Sequence, residues 1–150
     1  MSKMEKFMKK YSTKKEGNML RIIALHSFGE VGKGDKGGLI EKNSNLSHSG
    51  NAWVFGEASV SGNAWVFGEA SVSGDAKVFG DALVFGDAKV FGDAKVFGEA
   101  SVSGEASVSG DAKVFGDAWV FGDAKVFGEA KVFGDAKVFG DASVSGGFIQ

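Results

Sequence analysis

The sequence contains no cysteine and no proline. The first absence excludes a disulfide framework and any thiolate metal site. The second matters because 24 residues are glycine. Disordered glycine-rich chains usually carry proline, and collagen requires glycine on a three-residue period, so neither class fits. Histidine is scarce as well: His26 and His48 are the only two, and no His/Asp cluster has the spacing of a metal site. No apolar run approaches the ~18 residues of a membrane-spanning helix. Residues 1–18 lack the apolar stretch of a secretory signal. A cytoplasmic protein with no membrane partner, no metal and no cofactor is therefore expected.

Net charge is only −2, but it is unevenly distributed. Residues 1–49 carry ten Lys/Arg and five Asp/Glu, whereas residues 50–150 carry seven Lys and fourteen Asp/Glu. Residues 1–18 are lysine-rich, and Met4, Phe7, Met8 and Tyr11 are spaced for one helical face, which predicts a short basic amphipathic helix or arm. Residues 19–49 read as a small α/β capping segment. In it "MLRIIALHSF" is a buried strand, "GEVGKGDKGG" a turn-rich loop, "LIEK" a second short strand, and "NSNLSHS" a polar connection to the glycine-framed array. Gly32, Gly34 and Gly37 spell GxGxxG, but no helix can succeed it in "GLIEK", so the motif reads as a turn rather than a phosphate cradle.

From Gly50 to Gly146 glycine recurs every sixth residue and frames sixteen repeats of G-[D/E/N]-A-[K/W/S/L]-V-[F/S] without insertion or deletion. Within one repeat the period is two: Ala and Val share one side, and Lys and Phe the other. Gly plus an acidic residue or Asn forms the corner, because glycine tolerates the backbone of a sharp bend. Hairpins would need each corner to reverse the chain, and identical units carry no such alternation. Three repeats closing a triangular coil of eighteen residues satisfy both patterns, with coils stacked ~4.8 Å apart. Val and Ala fill the narrow interior, which Phe would overfill. Counting by eighteen, His48 falls at a Val position, which gives it a capping or core role. Residues 147–150 form the C-terminal end, where Phe148 and Ile149 either fold over the last coil or leave it in need of a partner.

The word V-x-G-x-A-x over residues 50–146 closely resembles the hexapeptide word of left-handed parallel β-helices. The preceding "RIIALHSFGEVGKGDKGGLIEKNSNLSHSGNAWVFGEA" resembles the start of bacterial and prophage hexapeptide-repeat proteins, which begin "ALxDFG…GDxGGxIE…NLS…GNxWV". The resemblance implies an all-β solenoid, a left-handed triangular parallel β-helix of about five coils, in a bacterial or phage setting. It implies little chemistry.

Stacking every third repeat defines three outer faces. The first aligns Lys77, Lys95, Lys113 and Lys131 beside Phe79, Phe97, Phe115 and Phe133. The second starts with Trp53/Phe55 and then alternates Ser/Ser with Lys/Phe rungs. The third holds Trp65 and Trp119. Outward aromatic strips of this length mark an interface, although ring stacking within a ladder also uses them.

Three functional classes are consistent with these faces. A hexapeptide-type acyltransferase needs a general base and a loop to shape its cleft, and the array has no histidine and no insertion, so this class is disfavoured and no catalytic residue is assigned. A nucleic-acid role has two forms. Acidic corner rows could mimic DNA, but a net charge of −7 over ~26 Å is one charge per ~3.7 Å against ~1.7 Å for the duplex. Alternatively, the Lys/Phe face could hold an anionic polymer. The favoured class is a non-enzymatic binding or assembly scaffold. It would bind a protein partner or its own copies, through the aromatic faces or the C-terminal coil, as a phage or mobile-element accessory protein, with inhibition of a host defence factor as one such role.

Overall fold

The computed structural model describes residues 9–150. Residues 50–149 wind as a three-sided β-solenoid, preceded by one degenerate turn, giving about six turns in all. The strands of each face are short (Lys95–Val96 is typical), and each pairs in parallel with the strand eighteen residues on: Lys95 with Lys113, Val96 with Val114. Backbone bonds continue around the corners. Lys95 N–H donates to Ala112 O at 3.0 Å, Phe97 N–H to Val114 O at 2.9 Å and the corner Glu99 N–H to Gly116 O at 2.8 Å. The corners need glycine because the chain bends there with positive φ, +70° at Gly98.

The interior is as the two-residue period predicts. Every Val and Ala of the repeats from Ala52 to Val132 is buried, almost all at 0–1 % exposure. The three faces are nine-, six- and five-stranded sheets among the described residues.

The N-terminal cap differs from expectation. Among the described residues it contains no α-helix, only a 3-10 turn at Asn43–Asn45. Tyr11–Glu16 is a strand, β1, paired antiparallel with β2, Met19–Ala24. The helical spacing ending at Tyr11 is overridden by a two-residue Gly17-Asn18 turn, with Gly17 at φ +62°, and by the β-branched residues of β2. Met4, Phe7 and Met8 lie outside the described residues. The third strand, β3, spans Lys36–Ile40 and so begins inside the segment read as a loop. Gly37 and Gly38 make that possible. A Cβ on Gly37 would lie 2.5 Å from Ile22 Cγ1 and 2.6 Å from Val54 O, and one on Gly38 would meet Ala58 O.

The degenerate first turn is longer than the others. Ile40 pairs with Val60 and Leu46 with Val66, intervals of twenty residues, whereas Val54 pairs with Val72. The two extra residues fall between Leu46 and Val54. Leu46, buried to 1 %, therefore takes the interior position that uniform counting gives to His48, and His48 is carried into the enlarged corner.

At the other end, Phe148–Ile149 does not fold over the last coil. It continues the first face, with Phe148 beside Lys131 and Ile149 beside Val132. Phe148 is 71 % exposed and Phe139 58 %.

Candidate binding faces and the cap that registers them

An end coil of a solenoid has carbonyls that no neighbouring coil satisfies, and burying them unpaired is costly. Side chains of the cap answer this at all three corners of the first full coil. Lys10 Nζ donates to Ala52 O at 2.6 Å and to Gly50 O at 3.3 Å. Arg21 Nη1 donates to Gly56 O at 3.1 Å and to Gly37 O at 3.0 Å, while its Nε and Nη2 hold Glu16 in a two-pronged ion pair. Asn45 Nδ2 donates to Ala64 O at 2.8 Å and Gly62 O at 3.1 Å, and its Oδ1 accepts the amides of Glu41 and Lys42. The three residues thus stand in for a missing coil.

The arrangement leaves an ammonium buried. Burial, partly offset by the charge of Glu69, pulls Lys10 down from 10.5 to about 8. Tyr11 lies beside it, its hydroxyl donating to Leu46 O at 2.6 Å, and burial pushes that hydroxyl up from 10.0. His48 stacks on Tyr11 at 4.0 Å and its Nδ1 accepts the Lys10 amide at 3.0 Å. Its pKa is lowered from 6.5 by burial and then by Lys10 and Lys9. A capping role for His48 is therefore correct, although its register is not. Sequence reasoning placed Lys10 in a basic arm and missed Arg21 and Asn45 altogether. The only local signals were the Gly-Asn turn, which aligns Arg21 above the coil, and an Asn inside a short polar run.

The cap also removes one predicted binding residue. Trp53 occupies an outward slot, yet Tyr11 and Phe28 pack edge-on against it at 6.1 and 5.2 Å, and it is 1 % exposed. Trp53 is core, not surface. Trp65 and Trp119 do reach solvent, at 43 % and 49 %.

On the first face the rungs align as counted: Lys77, Lys95, Lys113 and Lys131 pair in sequence. Beside them Phe79, Phe97, Phe115 and Phe133 stack at 4.8, 5.0 and 5.2 Å with planes within 7°. Each of these rings is half-buried by its neighbours. Among the described residues the one ion pair is Arg21–Glu16, so no acidic side chain neutralises the ladder lysines at contact distance.

The third face brings Trp65 onto Phe67 at 4.0 Å, and Phe67 onto Phe85 at 4.9 Å. A Ser101/Ser103 rung separates this patch from Trp119, Phe121 and Phe139, where Lys137 Nζ lies 5.7 Å from the Trp119 ring.

The second face alternates, and its rings stand apart. Phe91 and Phe127 are each 39 % exposed. Between Phe55 and Phe91, over Ser71 and Ser73, lies a groove of about 620 Å³ closed on one side by the cap loop at Val31.

No group of three or more His, Cys, Asp or Glu suited to a metal ion occurs among the described residues, and no helix among them is long and apolar enough to cross a membrane. No protein-family model matches the chain, and no curated protein matches it. Neither comparison supports the resemblance to prophage proteins expected for the leading segment from Arg21 to the first repeats.

Proposed function

We propose that the protein is a non-enzymatic binding scaffold whose first face, with Trp65 and Trp119 on the third, engages a protein partner. The observation that carries this reading is the first-face ladder. It is a flat strip of four stacked rings edged by four lysines with no acidic side chain among the described residues in contact. Such a strip offers apolar area together with unpaired positive charge, the two components of a specific protein interface. The rigidity of the coil stack lowers the ordering cost of binding. Of the two histidines, His48 is committed to the cap through Lys10 and Tyr11, which favours binding over acyl transfer. The bacterial and prophage resemblance suggests an accessory protein of a phage or mobile element, with a host defence factor as the partner.

The test is capture from bacterial lysate by the wild-type chain and by a variant carrying Lys95→Ser and Phe97→Ser. These substitutions reproduce the Ser-Val-Ser rung that the chain itself uses at residues 101–103, so the fold is retained. A protein captured by the first and not the second supports the reading. Recovery of nothing beyond the chain itself, or capture unaffected by the substitutions, would refute it. Salt separates the classes. Capture that persists at high ionic strength fits the aromatic strip, whereas steep loss with salt points to the anionic-polymer or DNA-mimic readings. Binding of acyl-coenzyme A would restore the enzyme class.

A further inference from the structure

The second face has a property the other two lack: strict alternation with a two-coil period. Its Phe-slot residues run Phe55, Ser73, Phe91, Ser109, Phe127, Ser145, in step with Trp53, Ser71, Lys89, Ser107, Lys125, Ser143. On the first face a ring every coil gives stacking at 4.8–5.2 Å. On the second, rings recur only every ~10 Å, and each Ser leaves a slot the width of one ring. The consequence is visible in exposure. Laddered Phe97 and Phe115 are half-buried, whereas Phe91 and Phe127 rank among the most exposed large apolar side chains. The slot over Ser73 is the groove between Phe55 and Phe91.

We infer that the second face is an interface between two copies of this chain, related by a two-fold axis parallel to the strands. Number the rungs one to six from Trp53/Phe55 to Ser143/Ser145. Aromatic rungs are odd and serine rungs even. Laying two copies face to face with their solenoid axes antiparallel and fully overlapped sets rung one against six, two against five and three against four. Every odd rung then meets an even one. Phe91 faces the slot over Ser109 of the other copy, and Phe127 the slot over Ser73. Rings from the two copies alternate in one column at single-coil spacing, the spacing of the unbroken ladder on the first face. Parallel axes in the same overlap reverse the strands and set every rung against its own counterpart, so Phe91 faces Lys89 and serine rung faces serine rung with the slots left empty; only the antiparallel arrangement fills them.

The remaining side chains agree with that arrangement. Lys89 meets a rung whose corner is Glu105, and Lys125 one whose corner is Glu69, so neither lysine faces a lysine. The last rung, which lies against the cap loop of the other copy, carries only Ser143 and Ser145. The occupant has to be a rigid column with the same two-coil period, and this chain supplies one. Trp53 of the first rung lies under the cap, so five rungs by the width of a face give roughly 400 Å² per copy, or about 800 Å² in total, in the range of weak, reversible association. A weak dimer is expected, closed by its two-fold axis.

The dimer deepens the assembly side of the scaffold reading but uses a different face, so the two fail separately. Sedimentation equilibrium of the full chain up to about 200 μM, well above the range of such interfaces, should resolve a monomer–dimer equilibrium. Ser73→Phe with Ser109→Phe fills the slots with the ladder the first face already tolerates. It should weaken the dimer at least ~10-fold while far-UV circular dichroism and the melting curve are retained. Phe91→Ser with Phe127→Ser, which recreates the Ser at the Phe slot of native serine rungs, should do the same by removing the inserted rings. Lysate capture through the first face should be unchanged in both. A chain that stays monomeric at the highest concentration, or a dimer indifferent to both pairs of substitutions, overturns the inference.

Discussion

Replacing Gly98 by Ala separates two costs that the corners combine. Gly98 sits at φ +70°, where an L-residue is strained, and a Cβ there would lie 2.9 Å from Gly116 N, 3.2 Å from Gly116 O and 3.4 Å from Gly116 Cα of the coil stacked above. Gly56 has nearly the same bend, φ +58°, but its Cβ would find nothing nearer than 3.8 Å. Left-handed strain for a residue with a Cβ is about 1–2 kcal/mol. Forcing an atom against backbone in a packed stack adds about 1–3 kcal/mol. Gly56→Ala should therefore cost about 1–2 kcal/mol and Gly98→Ala about 2–5 kcal/mol. Coils stack only through their neighbours, so the Gly98 change also loosens the join between its coil and the next. Urea unfolding of the three proteins, monitored by circular dichroism at a common slope, gives the difference directly. Equal losses at the two glycines would mean that the corners are not in contact between coils, and the stacking argument would fail with them.

Further predictions concern the cap and the exposed aromatics. Lys10 keeps its proton to about 10.5 when unfolded but releases it near 8 when folded, so the unfolded chain binds more protons between those values and stability should rise with pH there. Residual solvent screening of the ammonium limits the gain to about 2 kcal/mol. Above about 10 the unfolded Tyr11 ionises while the buried one does not, so the gain should reverse. Below about 6.5 the unfolded His48 takes up its proton before the folded one, and stability should fall. Urea midpoints across pH would trace this profile, and Lys10→Met should flatten the alkaline rise. Trp53→Ala should cost about 3–5 kcal/mol, since it empties the junction of cap and coil, whereas Trp119→Ala should change stability by less than about 1 kcal/mol and, if the third face binds, reduce partner capture.

The array was legible because each of its positions obeys one rule repeated without interruption. Glycine at every sixth residue set the corners, and the Ala/Val alternation set the interior. Counting by eighteen then placed Lys95 beside Lys113 and Ser101 beside Trp119, as the structure has them. The same counting failed at His48, where two extra residues enlarge one corner, and it was not carried past Gly146, where Phe148–Ile149 continues the first face through a corner one residue short instead of folding over the last coil. A period read from within the array carries no information about where the chain departs from it.

What the sequence determined by itself was thus the solenoid, its inward and outward sides, and the composition of its three faces, because local alternation and strict repetition fix these without reference to distant residues. Tertiary structure alone decided the cap. Lys10 lies 42 residues from the carbonyl of Ala52 that it caps, and Asn45 lies 19 from Ala64. Trp53 is buried only because Tyr11 and Phe28 arrive from the hairpin and its adjoining loop. Such contacts depend on how a non-repeating segment closes over the open end of a repeating one, and no period in the sequence encodes that closure.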